Sequence, residues 1–295
     1  MNDDRDQLPV VVGVDGSEAA LGACRWAATL AAARVAPLHL VHAIPPFPWF
    51  SPTALALSSE NLDKELHQVG NAQLDEAEAV VREECLSLPV SRLLLEGPVP
   101  DVLADRSEHA QAVVLGAHWS GPAGDMLLGR QTIRVINRAR CPVVAWRREP
   151  FAAADGARPI VVGVDESDYA TRAAHHAFSY ADTLHVPLVI AHFWSMYATV
   201  GLGYSAAFVD WDAIQREKQQ WIDALIAPLA EEYPAVTVHR VCADSTPARG
   251  LVGLSKTAQM VVVGSRGRGQ FVGAVLGSVS QNLVHHADCS VLVVP

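Results

Sequence analysis

Residues 261–280, VVVGSRGRGQFVGAVLGSVS, carry the densest set of groups able to handle an anion. The apolar run Val261-Val262-Val263 stops at Gly264, and glycines recur at 267, 269 and 273. Gly277-Ser278 then opens a segment that reads as a helix ending near His286. A strand, a glycine loop and a helix start together make a cradle for phosphate. Glycine lets backbone approach an anion because no Cβ intervenes. Successive N–H groups can turn inward, and a helix N-terminus adds orphan donors and the positive end of its dipole. Ser278 and Ser280 offer hydroxyl donors, while Arg266 and Arg268 offer cations. Ser265 lies within the loop, and Val279 between the two serines. A merely flexible turn would show the same glycine content, so the surrounding elements have to decide.

Those elements alternate. Pro9–Asp15 is a short β-branched run with the continuous hydrophobicity of a buried parallel strand. Ser17 is a good N-cap for an alanine-rich helix over Glu18–Arg34, and Pro37–Ala43 is a second strand. A proline-rich connection leads to a long acidic helix from Asn61 to about Leu86. Further strands are expected over 90–95, 112–116 and 141–146, with helices over 100–109 and 129–139. After a polar linker over 147–158 the chain starts again. Pro159-IVVGVDES repeats Pro9-VVVGVDGS, Val186-PLVIAHFW repeats Val35-APLHLVHA, and Met260-VVVG repeats Ala112-VVLG. The period is a whole domain, so this is a tandem duplication, with domains at 1–150 and 151–295. Strand–helix alternation argues for α/β domains with parallel sheets and helices on both faces.

Composition narrows the function. The chain has 295 residues, is 50% hydrophobic and carries a net charge of −10. Both halves are mildly acidic without a basic stripe, which argues against a nucleic-acid surface. No apolar leader or membrane span is visible. Five scattered cysteines without CxxC read as reduced thiols of a cytoplasmic protein. Neither GxxxxGK[ST] nor GxSxG occurs, and no nucleophile stands paired with a base, so a nucleotide cradle without evident hydrolytic machinery is expected.

The spacing Gly264-x2-Gly267-x9-Gly277-Ser278 resembles the ATP-binding motif of the universal stress protein family, G-x2-G-x9-G-(S/T), and the match is complete. The resemblance covers both halves and is closest to the tandem actinobacterial members. It implies Rossmann-like domains, each with five parallel strands in the order 3-2-1-4-5. It also implies association through the final strands, within one chain or in a homo-oligomer built on sheet-edge contacts. The expected ligand is an adenine nucleotide, ATP with or without Mg2+, and the expected role is that of a stress-response regulator and not an enzyme. A slow ATPase and a nucleotide-free interaction module are the alternatives.

Ligands of open α/β sheets lie beyond the carboxyl ends of the strands, where strand order reverses. Asp165, which follows Gly163 at the end of the second domain's first strand, should therefore share a crevice with the loop from Gly264. Its carboxylate could accept from an adenine amino group or ribose hydroxyls, and the matching family residue contacts the adenosine. The plain alternative is a turn residue ahead of Ser167. Backbone near Ala191, with Val41 as its counterpart, meets adenine in the family.

The first domain repeats Gly13, Asp15, Gly116 and Gly129, but Trp119 replaces Gly267 and Arg130 replaces Ser278. Its loop is thus degenerate, and the second domain should bind more tightly; the alternative is that the loop shifts on Ser120-Gly121-Pro122-Ala123-Gly124, with Arg130 as a cation, and both sites fill. The pairs His175-His176 and His285-His286 lack the further ligands a metal site needs, so no metal is expected there. Trp194, Trp211 and Trp221 read as packing anchors.

Overall fold

The computed structural model describes residues 8–46, 59–117, 130–147, 158–194, 210–267 and 276–295. The chain divides into two compact units, Met1–Arg148 and Glu149–Pro295.

The first unit runs β1 (Val10–Gly13), α1 (Glu18–Ala33), β2 (Leu38–Ile44), α2 (Ser59–Glu84), β3 (Val90–Glu96), α3 (Val99–Ser107), β4 (Ala112–Gly116), α4 (Arg130–Arg138) and β5 (Val143–Trp146). Its strands lie side by side as β3-β2-β1-β4-β5, every pairing parallel. The second unit runs β6 (Ile160–Gly163), α5 (Asp168–Leu184), β7 (Leu188–Trp194), α6 (Trp211–Glu232), β8 (Val238–Asp244), α7 (Pro247–Ser255), β9 (Met260–Gly264), α8 (Ser278–His286) and β10 (Ser290–Val294). Its order, β8-β7-β6-β9-β10, is the same arrangement. The parallel α/β fold and the 3-2-1-4-5 order expected from the sequence are thus present in each unit.

The strands that read as unbroken apolar runs are the central ones. Val10, Val12, Val113, Val114, Val162, Val261 and Val262 are fully buried, as parallel strands covered on both faces must be. The outermost strands β3 and β8 leave Ser91, Arg92, His239 and Arg240 exposed. The fifth strand starts at Val143 and not at Cys141, because Pro142 has no N–H to give a ladder.

Small residues set the helix positions. The α1 face made of Ala20, Ala23, Cys24, Ala27, Ala28 and Ala31 is buried at helical spacing. Burial pushes the Cys24 thiol up to about 12, which keeps it protonated and inert. Ser17 and Ser167 cap α1 and α5 by accepting from the N–H groups of Ala20 and Ala170 at 3.1 and 3.3 Å. A side chain at Gly116 would meet the carbonyl carbon of Ala19 at 2.4 Å, so the first turn of α1 rests directly on the end of β4.

The duplication extends to buried polar staples. Ser107 Oγ accepts from Arg140 N–H at 2.8 Å and donates to the Ala104 carbonyl. Ser255 Oγ accepts from Asp288 N–H at 3.0 Å and donates to Val252. Gln111 and Gln259 each donate an amide N–H to a backbone carbonyl ahead of the first strand, that of Leu8 at 2.8 Å and of Arg158 at 2.6 Å.

Two glycine substitutions test the packing. Gly116→Ala forces its methyl group into helix backbone, and it should lower stability by about 2–3 kcal/mol. Gly253 lies in α7, and nothing comes within 4 Å of the place a methyl group would take; Gly253→Ala should raise stability by up to about 1 kcal/mol. Urea midpoints of the two variants should move in opposite directions.

Candidate functional site

Strand order reverses between β6 and β9, and the chain leaving β6 forms the near wall of the crevice there. Val164 N–H donates to the Ala191 carbonyl at 2.9 Å, continuing the ladder one residue past the strand. His192 Nδ1 lies 2.9 Å from the Val164 carbonyl. The chain then turns at Asp165, whose Oδ1 accepts from Ser167 N–H at 3.1 Å and from the Ser167 hydroxyl. One serine therefore orients the carboxylate and caps α5 as well.

The other carboxylate oxygen faces the glycine loop. A methyl group on Gly267 would sit 2.7 Å from Asp165 Oδ2. Asp165 and Gly267, 102 positions apart in sequence, are thus brought together as expected. The contact also gives the glycine a reason that spacing did not: any side chain would strike the carboxylate.

The feet of the loop are closed by hydrogen bonds. Ser265 N–H donates to Val294 at 2.6 Å, and Gly277 N–H donates to Ser265 at 2.8 Å. The hydroxyl of Ser280, only 3% exposed, donates to the Gly264 carbonyl at 2.6 Å. Ser280, read from the sequence as a ligand donor, is instead a brace under the loop. Ser278 is exposed at the helix mouth. Gly277 starts α8 in extended geometry with no side-chain cap. Helix geometry leaves the N–H groups of Ser278, Val279 and Ser280 without intrahelical acceptors. Gly264 itself answers to packing, because a side chain there would meet Tyr169 Cβ at 2.7 Å and its backbone at 3.0 Å.

Arg266 projects towards α5. Its Nη1 donates to the Tyr169 hydroxyl at 3.0 Å, and its guanidinium lies 5.7 Å from that ring's centroid. Lys218 of α6 pairs with Glu166 at 2.7 Å, tying the helix to the Asp165 turn. Trp221 packs against His192 at 5.3 Å between centroids with the rings tilted by 55°, a packing role as expected. Lys218 and His192 were missed in the sequence. The pairing of His192 with His42 in the two repeats was a usable signal. The Lys218–Glu166 contact left none.

The first unit rebuilds the same wall. Gly13 ends β1, Val14 N–H donates to Val41 at 2.8 Å, and His42 Nδ1 lies 2.9 Å from the Val14 carbonyl. Asp15 Oδ1 accepts from Ser17 N–H at 3.0 Å. Ala191 and Val41 are both buried, and their carbonyls hold the turns that carry the aspartates. The turns also differ. Gly16 adopts φ 75°, and Gln73 fills the space where its side chain would stand. Arg268, Gly269, Trp119 and Gly129 lie outside the described residues.

The arrangement joins a fixed carboxylate and a helix mouth with spare donors, with the Arg266 guanidinium held on Tyr169 at the first turn of α5. It suits a ligand with hydroxyl or amino donors at one end and anionic oxygens at the other. Burial raises the nearby Cys242 thiol above its ordinary pKa, so it is no ready nucleophile.

The model of the universal stress protein family matches residues 8–147 and again 156–295. A universal stress protein of Mycobacterium bovis is 36% identical over 301 residues, covering 99% of this chain and 99% of its own. One of Mycolicibacterium smegmatis is 34% identical over 292 residues, covering 97% and 96%. Among solved structures, a universal stress protein from Archaeoglobus fulgidus aligns with a TM-score of 0.70 at 18% identity, over 98% of this chain and 97% of that one. At that identity the likeness speaks for the fold.

The two helix-mouth serines should separate by variant. Ser280→Ala leaves the buried Gly264 carbonyl without its donor and should cost about 1–3 kcal/mol. Ser278→Ala should stay within about 0.5 kcal/mol. Denaturant unfolding of both proteins checks the difference.

Proposed function

This chain belongs to the universal stress protein family, and we propose that its second unit binds an adenine nucleotide, ATP foremost, as the switch of a stress-response regulator. The observation that carries the reading is the Asp165 carboxylate held against Gly267. It is supported by the complete G-x2-G-x9-G-S spacing and by the uncapped start of α8.

The residues fit the group. Asp165 Oδ2 would take the ribose hydroxyls or the adenine amino group. The N–H groups of Ser278 and Val279 and the exposed Ser278 hydroxyl would meet phosphate oxygens, with Arg266 supplying positive charge from the loop's first turn. Mg2+ would arrive with the phosphates. The chain's own contribution is to bind and orient. The crevice groups described above include no base positioned to activate water, and the proposed role is occupancy, not turnover. A nucleotide that binds one conformation more tightly shifts the population by that difference in affinity.

Equilibrium dialysis of the full chain with ATP should give binding in the micromolar range or tighter. Asp165→Ala should weaken ATP about ten- to hundredfold, the worth of one hydrogen bond to a charged acceptor. Tripolyphosphate, which has no adenosine, should bind the variant as it binds the parent. Asp15→Ala should remove a weaker site, because Trp119 and Arg130 replace motif residues in the first unit. Absence of adenine-nucleotide binding below millimolar overturns the reading. Release of ADP or AMP at the common enzymatic rate of about 1–10³ s⁻¹ overturns the non-enzymatic part of it.

A further inference from the structure

The first unit carries a second cluster of ligating groups, away from the Asp15 turn. Asp63 and His67 stand four residues apart on α2, so their side chains share one face of the helix. Glu96 closes β3, which pairs with β2 through Ile44. Across the sheet, β3 is two strands from β1, about 10 Å. One ligand atom from each of the three side chains falls within 4.8 Å of the others.

The backbone contact of His67 leaves its Nε2 as the nitrogen available to a metal. His67 Nδ1 lies 2.9 Å from the Asp63 backbone carbonyl. In the neutral ring the proton therefore sits on Nδ1, and Nε2 keeps its lone pair. Metal-bound histidines are commonly oriented in this way, with the other ring N–H given to a backbone carbonyl. Nε2 then faces Glu96 Oε1 at 3.8 Å, and Asp63 Oδ1 lies 3.6 Å from Nδ1. A lone pair opposed to a carboxylate oxygen calls for a cation between them, either a proton or a metal. Two bonds of about 2.1 Å at a tetrahedral angle place their ligands about 3.4 Å apart. The His67–Glu96 gap therefore closes by a few tenths of an ångström. Asp63 Oδ1 lies on the Nδ1 side of the ring, so its exposed side chain would have to turn towards Nε2 to join the other two ligands.

We infer that Asp63, His67 and Glu96 form a site for a borderline divalent cation of the zinc class, with water completing the coordination. One imidazole and two carboxylates suit zinc, whereas magnesium prefers oxygen alone. The acidic chain favours any cation. Among the described residues the second unit shows no equivalent cluster, and its α6 contains no histidine. The site would tie α2 to the end of β3.

The test is zinc chloride titrated calorimetrically into the full chain, its His67→Gln variant and its Glu96→Gln variant. The wild type should show one micromolar site that His67→Gln weakens at least tenfold and Glu96→Gln severalfold. Remaining histidines, including the pairs at 175–176 and 285–286, supply a background common to all three proteins. In ¹⁵N spectra zinc should shift His67 Nε2 and leave Nδ1 protonated. Thermal midpoints in EDTA should coincide, which separates lost binding from lost folding. If His67→Gln binds zinc with unchanged stoichiometry and affinity, or the wild type responds only at millimolar zinc, the cluster is a proton-bridged ion pair and the inference fails.

Discussion

The first turn of a helix pressed onto the end of the fourth strand is the constraint from which the crevice follows. At Gly264 the backbone of Tyr169 comes within 3.0 Å of where a side chain would begin, and at Gly116 the backbone of Ala19 comes closer still. With the helix seated there, its N-cap Ser167 and the Asp165 ahead of it face the start of the glycine loop. Tyr169 then lies within reach of Arg266. Move the helix outward by the width of one methyl group, and the carboxylate leaves the loop. Packing, in this fold, sets the position of the chemistry.

Much of this was legible in the sequence because it depends on local pattern. Strand positions followed from unbroken valine runs, helix starts from Ser17 and Ser167, and strand order from the family that the loop spacing resembles. What escaped depends on direction and distance. Ser278 and Ser280 are two apart on a helix, so one faces out and the other in, and no spacing rule says which serves a ligand. Arg266 and Tyr169 are 97 positions apart, and Lys218 and Glu166 are 52 apart. Their pairing is a property of the folded surface. The same holds for Glu96, which joins His67 only once β3 has packed on α2.

The two repeats divide into parts that stayed the same and parts that changed. Ser107 matches Ser255, Gln111 matches Gln259 and His42 matches His192, each with the same kind of partner. These are buried or half-buried polar groups whose loss would strand a donor or acceptor. At the mouth the units part company. Tyr169 stands where the first unit has Ala19, and Glu166, held by Lys218, stands where the first has Gly16 backed by Gln73. The frame tolerates little exchange, whereas the rim tolerates a good deal.

The bonds from Gly277 to Ser265 and from Ser280 to Gly264 have a mechanical result. They cinch the chain at the neck, where Ser265 and Gly277 are bonded to each other and Ser280 to Gly264. Lengthening such a loop costs little, since closure entropy grows only with the logarithm of its length. The neck, with its two bonds, is therefore the part of the loop whose exchange the sheet beneath would feel.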